Sequence, residues 1–550
     1  MRHSKLTPHS HIQKPDGPVV LLIIDGVGIG RRDEYDALYL ARTPTLDSLF
    51  QGPLYRTLSA HGTAVGLPSD ADLGGSEVGH NVMGAGRVID QGPTLVDNAF
   101  ANDSVFNGDW CTIRDQLVTS GNTLHLIGLL SDGGIHSNQQ HLFKLIDRAA
   151  KEGIARIRVH VLFDGRDVPD FTAADYASEL ENVLKSHRKD GRDYRIASGG
   201  GRMVSVMDRY NADWSIVKTG WDTIVHGEGP QFSSVVDAIA NARTDNDDLS
   251  DQYLPAFVIL DDEGNVSTVD DGDAVILFNF RGDRAVEMCM AFESGSEFEG
   301  FDRRRVPDVI FAGMMLYDGD LGVPARYLVT PMKTEGCLSE LLAASGVSQF
   351  ACAETQKFGH VTYFWNGNRS GKFDETLEEY VEIASDRCPF EQKPWMKAGE
   401  TADTLIDAIE TGRYQFIRAN FAGGDMVGHS GRLLPTIVAL ESIELSVARV
   451  VDAVRKARGC LVVTADHGNA EDMVERDKSG KPLFDDDGRP RRRTAHSLNP
   501  VPFAIADFSN RTFKLRPIDP AGLGNIAPTL AELLGFKAPG NYTDSLIESA

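Results

Sequence analysis

The 550-residue chain lacks several features that would settle its class at once. It has six cysteines (Cys111, Cys289, Cys337, Cys352, Cys388, Cys460), with no CxxC pair and no regular spacing. This excludes a disulfide framework and a thiolate zinc site, and reads as reduced thiols of a cytoplasmic protein. It lacks positive charge: 55 Lys and Arg stand against 80 Asp and Glu, a formal charge of -25. Nucleic acid and anionic membranes are therefore not expected partners, and any anionic small molecule must find a local cluster of cations. Long apolar runs are missing too. The stretch Val19 to Ile24 is far too short to span a bilayer, and the polar start "MRHSKLTPHSHIQKPDGP" is no signal peptide. Residues 1–17 are expected to be a frayed extension, with His3, His9 and His11 solvated. No repeat of 20–50 residues suggests a solenoid or propeller.

What is present is a recurring unit: a short apolar run, a turn carrying Asp, His, Arg or Gly, then a helical stretch. It recurs at 19–30, 123–137, 158–169, 273–285, 415–430 and 459–472. Continuous Val, Ile and Leu runs mark strands buried on both faces of a parallel sheet, so the fold class is α/β. Ligands of such sheets collect beyond the carboxyl ends of the strands, where these polar turns fall. At this length two or more domains are expected. The Asp-rich stretch 244–273 reads as an exposed loop or hairpin. The segment "ERDKSGKPLFDDDGRPRRRT" (475–494) reads as a long surface loop, its Arg491–Arg493 triplet solvated and offset by Asp485–Asp487.

The stretch "LGGSEVGHNVMGAGR" (73–87) poses the functional question. Taken alone, Ser76 reads first as a helix N-cap. The alternative is a hydroxyl at a helix N-terminus, with bare backbone at Gly74 and Gly75 admitting a phosphate or metal. Other strand ends tip the balance. Asp25 ends the first run; "DMVGH" sets Asp425 and His429 four apart on one helical face; "TADHG" offers Asp466 and His467; "TAHS" offers His496. Three carboxylates, three imidazoles and a hydroxyl suit two divalent cations with mixed O/N ligands, such as manganese, zinc, cobalt or magnesium. Ser76 is then a candidate nucleophile. The middle of the chain adds Arg166, Arg202, Arg209, Arg281 and Arg284, guanidinium forks suited to a small, multiply anionic substrate.

The ordered set "IIDGVG", "GGSEVGHNVMGAGR", "SDGGIHS", "DGRDVP", "NFRGDR", "ETQKFGHVTYFWNG", "DMVGHSG", "TADHGNAE" and "TAHS" resembles the cofactor-independent phosphoglycerate mutases, from about Val19 to the C-terminus. The resemblance implies an alkaline-phosphatase-like, metal-binding domain (18–90 and 312–550) interrupted by a transferase-type substrate domain (91–311), with hinges near 88–93 and 309–318. It implies one metal site of Asp425, His429 and His496 and another of Asp25, Ser76, Asp466 and His467. Manganese is the expected metal, with cobalt or magnesium as alternatives. His136, Arg166, Asp167, Arg202, Arg209, Arg281, Arg284 and Lys357 fall on substrate-binding positions. The implied reaction interconverts 3-phosphoglycerate and 2-phosphoglycerate through phospho-Ser76 without bisphosphoglycerate. Asp167 would handle the hydroxyl proton, with Lys357 and the arginines stabilising charge, in a protein expected to be monomeric. Three features depart from the pattern: Gly75 stands where an amide residue is expected, "SGGGRMVSVMDR" carries an extra residue between its arginines, and 475–494 is long.

Overall fold

The computed structural model describes residues 5–208, 213–318, 322–330, 334–386, 388–477, 479–485 and 487–550. The chain divides into two units, Met1–Gln91 with Lys333–Ala550, and Gly92–Met332. Each is built on its own sheet and its own apolar core.

Among the described residues, the main sheet of the first unit has seven strands in the order Glu378–Ile383, Gln349–Glu354, Phe416–Phe421, Val19–Ile24, Cys460–Thr464, Val501–Asp507, Tyr55–Leu58. Val19–Ile24 is central, parallel to both neighbours, and every one of its six apolar side chains is buried. Each such side chain contributes roughly 1.5–3 kcal/mol by leaving water, which is why an unbroken apolar run settles here and not on an edge. Only the last two pairings are antiparallel, so Val501–Asp507 alone runs against the other six strands.

The second unit's sheet runs Tyr327–Val329, Ile310–Met315, Ala274–Leu277, Thr123–Leu129, Arg156–Phe163, Asp193–Gly201, Phe257–Ile259, Gln231–Phe232. All its pairings are parallel except Asp193–Gly201 with Phe257–Ile259.

Four expectations are corrected. A boundary at 311 would cut the Ile310–Met315 strand, whose ladder with Ala274–Leu277 holds it in the second unit; the break falls at 332. The described part of the N-terminal extension is anchored, not frayed. Leu6 and Ile12 are buried, His9 donates its N–H to the Gly535 carbonyl at 2.8 Å, and His9 Nδ1 accepts the Ile12 N–H at 2.8 Å. The stretch 244–273 contains the buried Phe257–Ile259 strand. The segment 475–494 is a small meander of three extended legs, bridged at Val474–Arg492, Arg476–Pro482 and Phe484–Pro490.

Candidate active site

In the first unit, the four adjacent strands Gln349–Glu354, Phe416–Phe421, Val19–Ile24 and Cys460–Thr464 deliver Lys357, Asp425 with His429, Asp25, and Asp466 with His467 respectively, each just past a carboxyl end. Ser76 comes from the helix Ser76–Ala85 and His496 from the loop before Val501–Asp507.

Ser76 is not a cap. The N-cap is Gly75, in extended backbone, and the Ser76 side chain makes no capping bond. Its Oγ lies 2.9 Å from His467 Nε2 and 3.2 Å from Asp25 Oδ1, and accepts from Lys357 Nζ at 2.5 Å. The two glycines before it do different things. A Cβ at Gly74 would lie 2.0 Å from the Ala60 carbonyl oxygen, so backbone packing demands glycine there. At Gly75 a Cβ would meet only the His496 ring, at 3.8 Å.

Lys357 is buried and donates to Asp25 Oδ1 and Asp425 Oδ2, both at 2.7 Å. Three buried carboxylates, of Asp25, Asp425 and Asp466, thus face one ammonium. Asp25 registers the shortfall: burial, then the charge of Asp466, push its pKa up to about 6. Burial acts on Asp425 and Asp466 in the same sense, but Lys357 and His429 around the first, and His467 and His80 around the second, hold both well below the usual carboxylate range.

The imidazoles supply a test for metal. His429 Nδ1 pairs with the Thr494 carbonyl at 2.6 Å and His496 Nδ1 with that of Gly74 at 2.7 Å. Those carbonyls accept from Nδ1, so each ring, when neutral, presents Nε2 as a ligand atom. Yet the two Nε2 atoms lie 3.2 Å apart, each 3.1 Å from Asp425 Oδ1. Burial, then His467, drive the His496 pKa down to about 3, so the His496 ring brings a neutral acceptor to Asp425 Oδ1, an arrangement that a cation between them would satisfy. Asp466 Oδ2 tells the same story, for it is buried without a hydrogen bond, and its neighbour His80 Nδ1 at 3.3 Å is committed to the Ser76 carbonyl at 2.7 Å. Donor atoms of Asp425, His467 and His496, and of Asp25, Asp466 and His467, form two groups each within 4.8 Å, with His467 common to both. The residues fit divalent cations.

In the second unit the same construction carries the opposite charge. The adjacent strands Ala274–Leu277, Thr123–Leu129, Arg156–Phe163 and Asp193–Gly201 lead to Arg281 and Arg284, His136, Arg166 and Asp167, and Arg202. Arg202 is buried, and its Nη1 donates to Asp164 Oδ1 and Asp167 Oδ2, each at 2.6 Å. Burial raises the Asp167 pKa, but Arg202 and Arg166 more than offset it and hold the carboxyl below its usual range. His136 lies 3.6 Å from Asp283 Oδ1; burial and the charges of Arg202, Arg281, Arg284 and Arg166 press its pKa well down. Arg284 Nη1 donates to the Met207 carbonyl at 2.7 Å. Arg209 lies outside the described residues.

A family model described as "Metalloenzyme superfamily" matches residues 17–538. The 2,3-bisphosphoglycerate-independent phosphoglycerate mutase of Trypanosoma brucei brucei is 51% identical over 550 residues, covering 99% of this chain and 100% of that one. That of Zea mays is 48% identical over 548 residues, 98% of each chain. The chain belongs to the 2,3-bisphosphoglycerate-independent phosphoglycerate mutase family. The crystal structure of Leishmania mexicana phosphoglycerate mutase at low cobalt concentration matches with a TM-score of 0.94 and 48% identity, covering 100% of both chains. Among the described residues of the enzyme, no helix is long and apolar enough to cross a membrane.

Sequence reasoning missed the residues behind the ligands. Asn420 Nδ2 donates to Asp25 Oδ2 at 2.6 Å; an amide in the apolar run "FIRANF" was the signal. His80, four residues after Ser76 on one helical face, was signalled by its spacing. Buried Glu471 accepts the N–H groups of Gly28 and Asn469, both at 2.9 Å, and binds the Ser497 hydroxyl, fastening three ligand-bearing loops together.

Proposed function

We propose that the enzyme interconverts 3-phosphoglycerate and 2-phosphoglycerate through phospho-Ser76, in a first unit of phosphatase type, while a second unit of transferase type recognises the anionic substrate. The observation that carries this reading is the environment of Ser76 Oγ: buried, in contact with Lys357, His467 and Asp25, and at a helix N-terminus. Backbone N–H groups there and the Lys357 ammonium favour the anionic phosphoryl group. Asp425, His429 and His496 would hold one divalent cation and Asp25, Ser76, Asp466 and His467 another, manganese first and cobalt or magnesium next. When bound, such a pair neutralises phosphoryl charge and favours the ionised hydroxyl.

In the forward sense, Ser76 Oγ gives up its proton and forms a bond to phosphorus as the bond to the 3-oxygen of glycerate breaks, and that oxygen takes up a proton. Glycerate is retained and turned, the 2-hydroxyl loses its proton and attacks phospho-Ser76, and the serine is regenerated. Arg166, Arg202, Arg209, Arg281, Arg284 and His136 hold the substrate's anionic groups, and Asp167 accepts the hydroxyl proton. The enzyme is read as monomeric and cytoplasmic. The test is a coupled assay on metal-loaded protein with no bisphosphoglycerate added. Formation of 2-phosphoglycerate without free phosphate is expected, with activity lost on chelation and restored by manganese or cobalt. Free phosphate as the main product, or full turnover after exhaustive chelation, would overturn the reading.

A further inference from the structure

The meander at 475–494 is tied to the cation site at its base. Arg493, the last of the triplet expected to be solvated, is three-quarters buried as a side chain. Its Nη2 donates to the His496 carbonyl at 2.5 Å, its Nε to the Ala495 carbonyl at 3.3 Å, and its Nη1 to Asp472 Oδ2 at 3.3 Å. Asp472 closes the loop that starts at Asp466 and His467. Its second oxygen, Oδ1, accepts from Arg476 Nε at 2.8 Å, and Arg476 Nη2 reaches Asp33 Oδ2 at 2.7 Å, on the loop that follows Asp25. A chain of alternating charge, Asp33, Arg476, Asp472, Arg493, thus runs across the three loops that carry Asp25, His467 and His496. Arg491, two residues earlier, is exposed, and the carboxylate of Glu475 is 3.9 Å away.

We infer that Arg493 is a positioning residue for the cation ligand His496, and that the meander sets how tightly the enzyme retains that cation. The fork fixes two consecutive carbonyls, those of Ala495 and His496, and so fixes the backbone from which the imidazole projects. The ring's own tether is the bond from Nδ1 to the Gly74 carbonyl. Fixing the backbone as well as the ring leaves Nε2 one position, toward Asp425 Oδ1. Groups behind metal ligands commonly change affinity by about 10–100-fold when removed. A lysine cannot replace the fork, because a single ammonium does not reach two carbonyls and a carboxylate in one plane.

The inference rests on reading Asp425, His429 and His496 as ligands of one cation, and the experiment separates the two. Metal-free full-length protein is titrated with cobalt, followed by visible absorption, by competition with a chromophoric chelator and by metal content per chain. R493M should retain one of its two cobalt ions about tenfold or more weakly, with altered cobalt bands, while the thermal midpoint of the metal-free protein stays at the parent value. R493K should fall between, and R491M should match the parent. Parent affinity and spectrum in both Arg493 variants would overturn the inference, as would equal loosening of both ions with a lowered metal-free midpoint. Should R493M fail to fold, R493K decides alone, with parent affinity again fatal. D425N is the control: if it still binds two cobalt ions tightly, the ligand reading fails, whatever Arg493 does.

Discussion

The two units solve one geometrical problem with opposite charges. Both bring their reactive side chains together past the carboxyl ends of four adjacent parallel strands. The first gathers carboxylates and imidazoles around one buried lysine, and the second gathers guanidiniums around one buried histidine. The contrast shows in how the histidines sit. His467 is drawn up from its ordinary pKa, because Asp466, Asp425 and Asp25 outweigh its burial, whereas His136 is pressed down by burial and by four arginines together. Parallel-sheet topology therefore fixes where a site forms and says nothing of what it binds; the residues at the strand ends decide that. A net charge of -25 conceals the split entirely.

The largest effect should come from removing the nucleophile in the first unit. Ser76→Ala is expected to abolish isomerisation in the coupled assay. It should leave the fold intact, because Gly75 is the N-cap and the lost hydroxyl bonds to site residues only. Incubation with phosphoglycerate followed by mass spectrometry of the intact chain should show a phosphorylated species for the parent and none for the variant. Measurable turnover by Ser76→Ala would end the covalent mechanism and leave the first unit with its cations alone.

Next comes a variant in the second unit that should leave the first untouched. Asp167→Asn removes the proposed proton acceptor while keeping its size. General bases contribute about 10²–10⁴-fold, and a carboxylate held below its usual range by Arg202 is a weak one, so a loss near the lower bound is expected. Cations per chain should not change. Parent turnover would remove Asp167 from the chemistry, and loss of cations would break the division of labour between the units.

Much of this was legible because the signals are local. An apolar run followed by Asp, His or Arg states both the strand and the strand end, and Asp25, Asp425, His429, Asp466 and His467 all announce themselves that way. What stayed hidden depends on partners far apart in the chain. Nothing near Glu471 says that it will accept the Gly28 N–H across 443 positions, and nothing near Arg493 says that its fork closes on Asp472 and His496. The meander was misjudged for another reason. Charge and glycine suggested a loop, yet Asp477 with Gly480 and Asp485 with Gly488 are the first and last residues of tight turns, with glycines at φ +82 and +75. The second boundary was misplaced because a strand such as Ile310–Met315 does not tell from sequence which sheet it will join.

The smallest effect concerns stability and again separates the units. In the second, buried Asp273, His125, His160 and Ser198 form a polar row across the sheet: His125 Nε2 meets Asp273 Oδ2 at 3.2 Å, His125 Nδ1 meets His160 Nε2 at 2.9 Å, and His160 Nδ1 meets Ser198 Oγ at 2.7 Å. Burial lowers the pKa of both histidines, with His125 and Arg158 pushing His160 further down. In the unfolded chain each titrates near 6.5. Above that value both states are neutral and the pair has no effect on stability; below it the unfolded chain takes up protons that the fold refuses, so stability falls as pH drops. The slope is about 1.4 kcal/mol per pH unit for each histidine that stays neutral in the fold. His160→Gln keeps a polar group for His125 and removes one titration. It should therefore flatten the decline between pH 6.5 and 5, read as hydrogen exchange of amides in Thr123–Leu129 and Arg156–Phe163 on metal-free protein, so that loss of cations from the first unit does not enter. An identical decline in parent and variant would show that His160 is protonated in the fold, and that the second unit tolerates buried positive charge even where no carboxylate touches it.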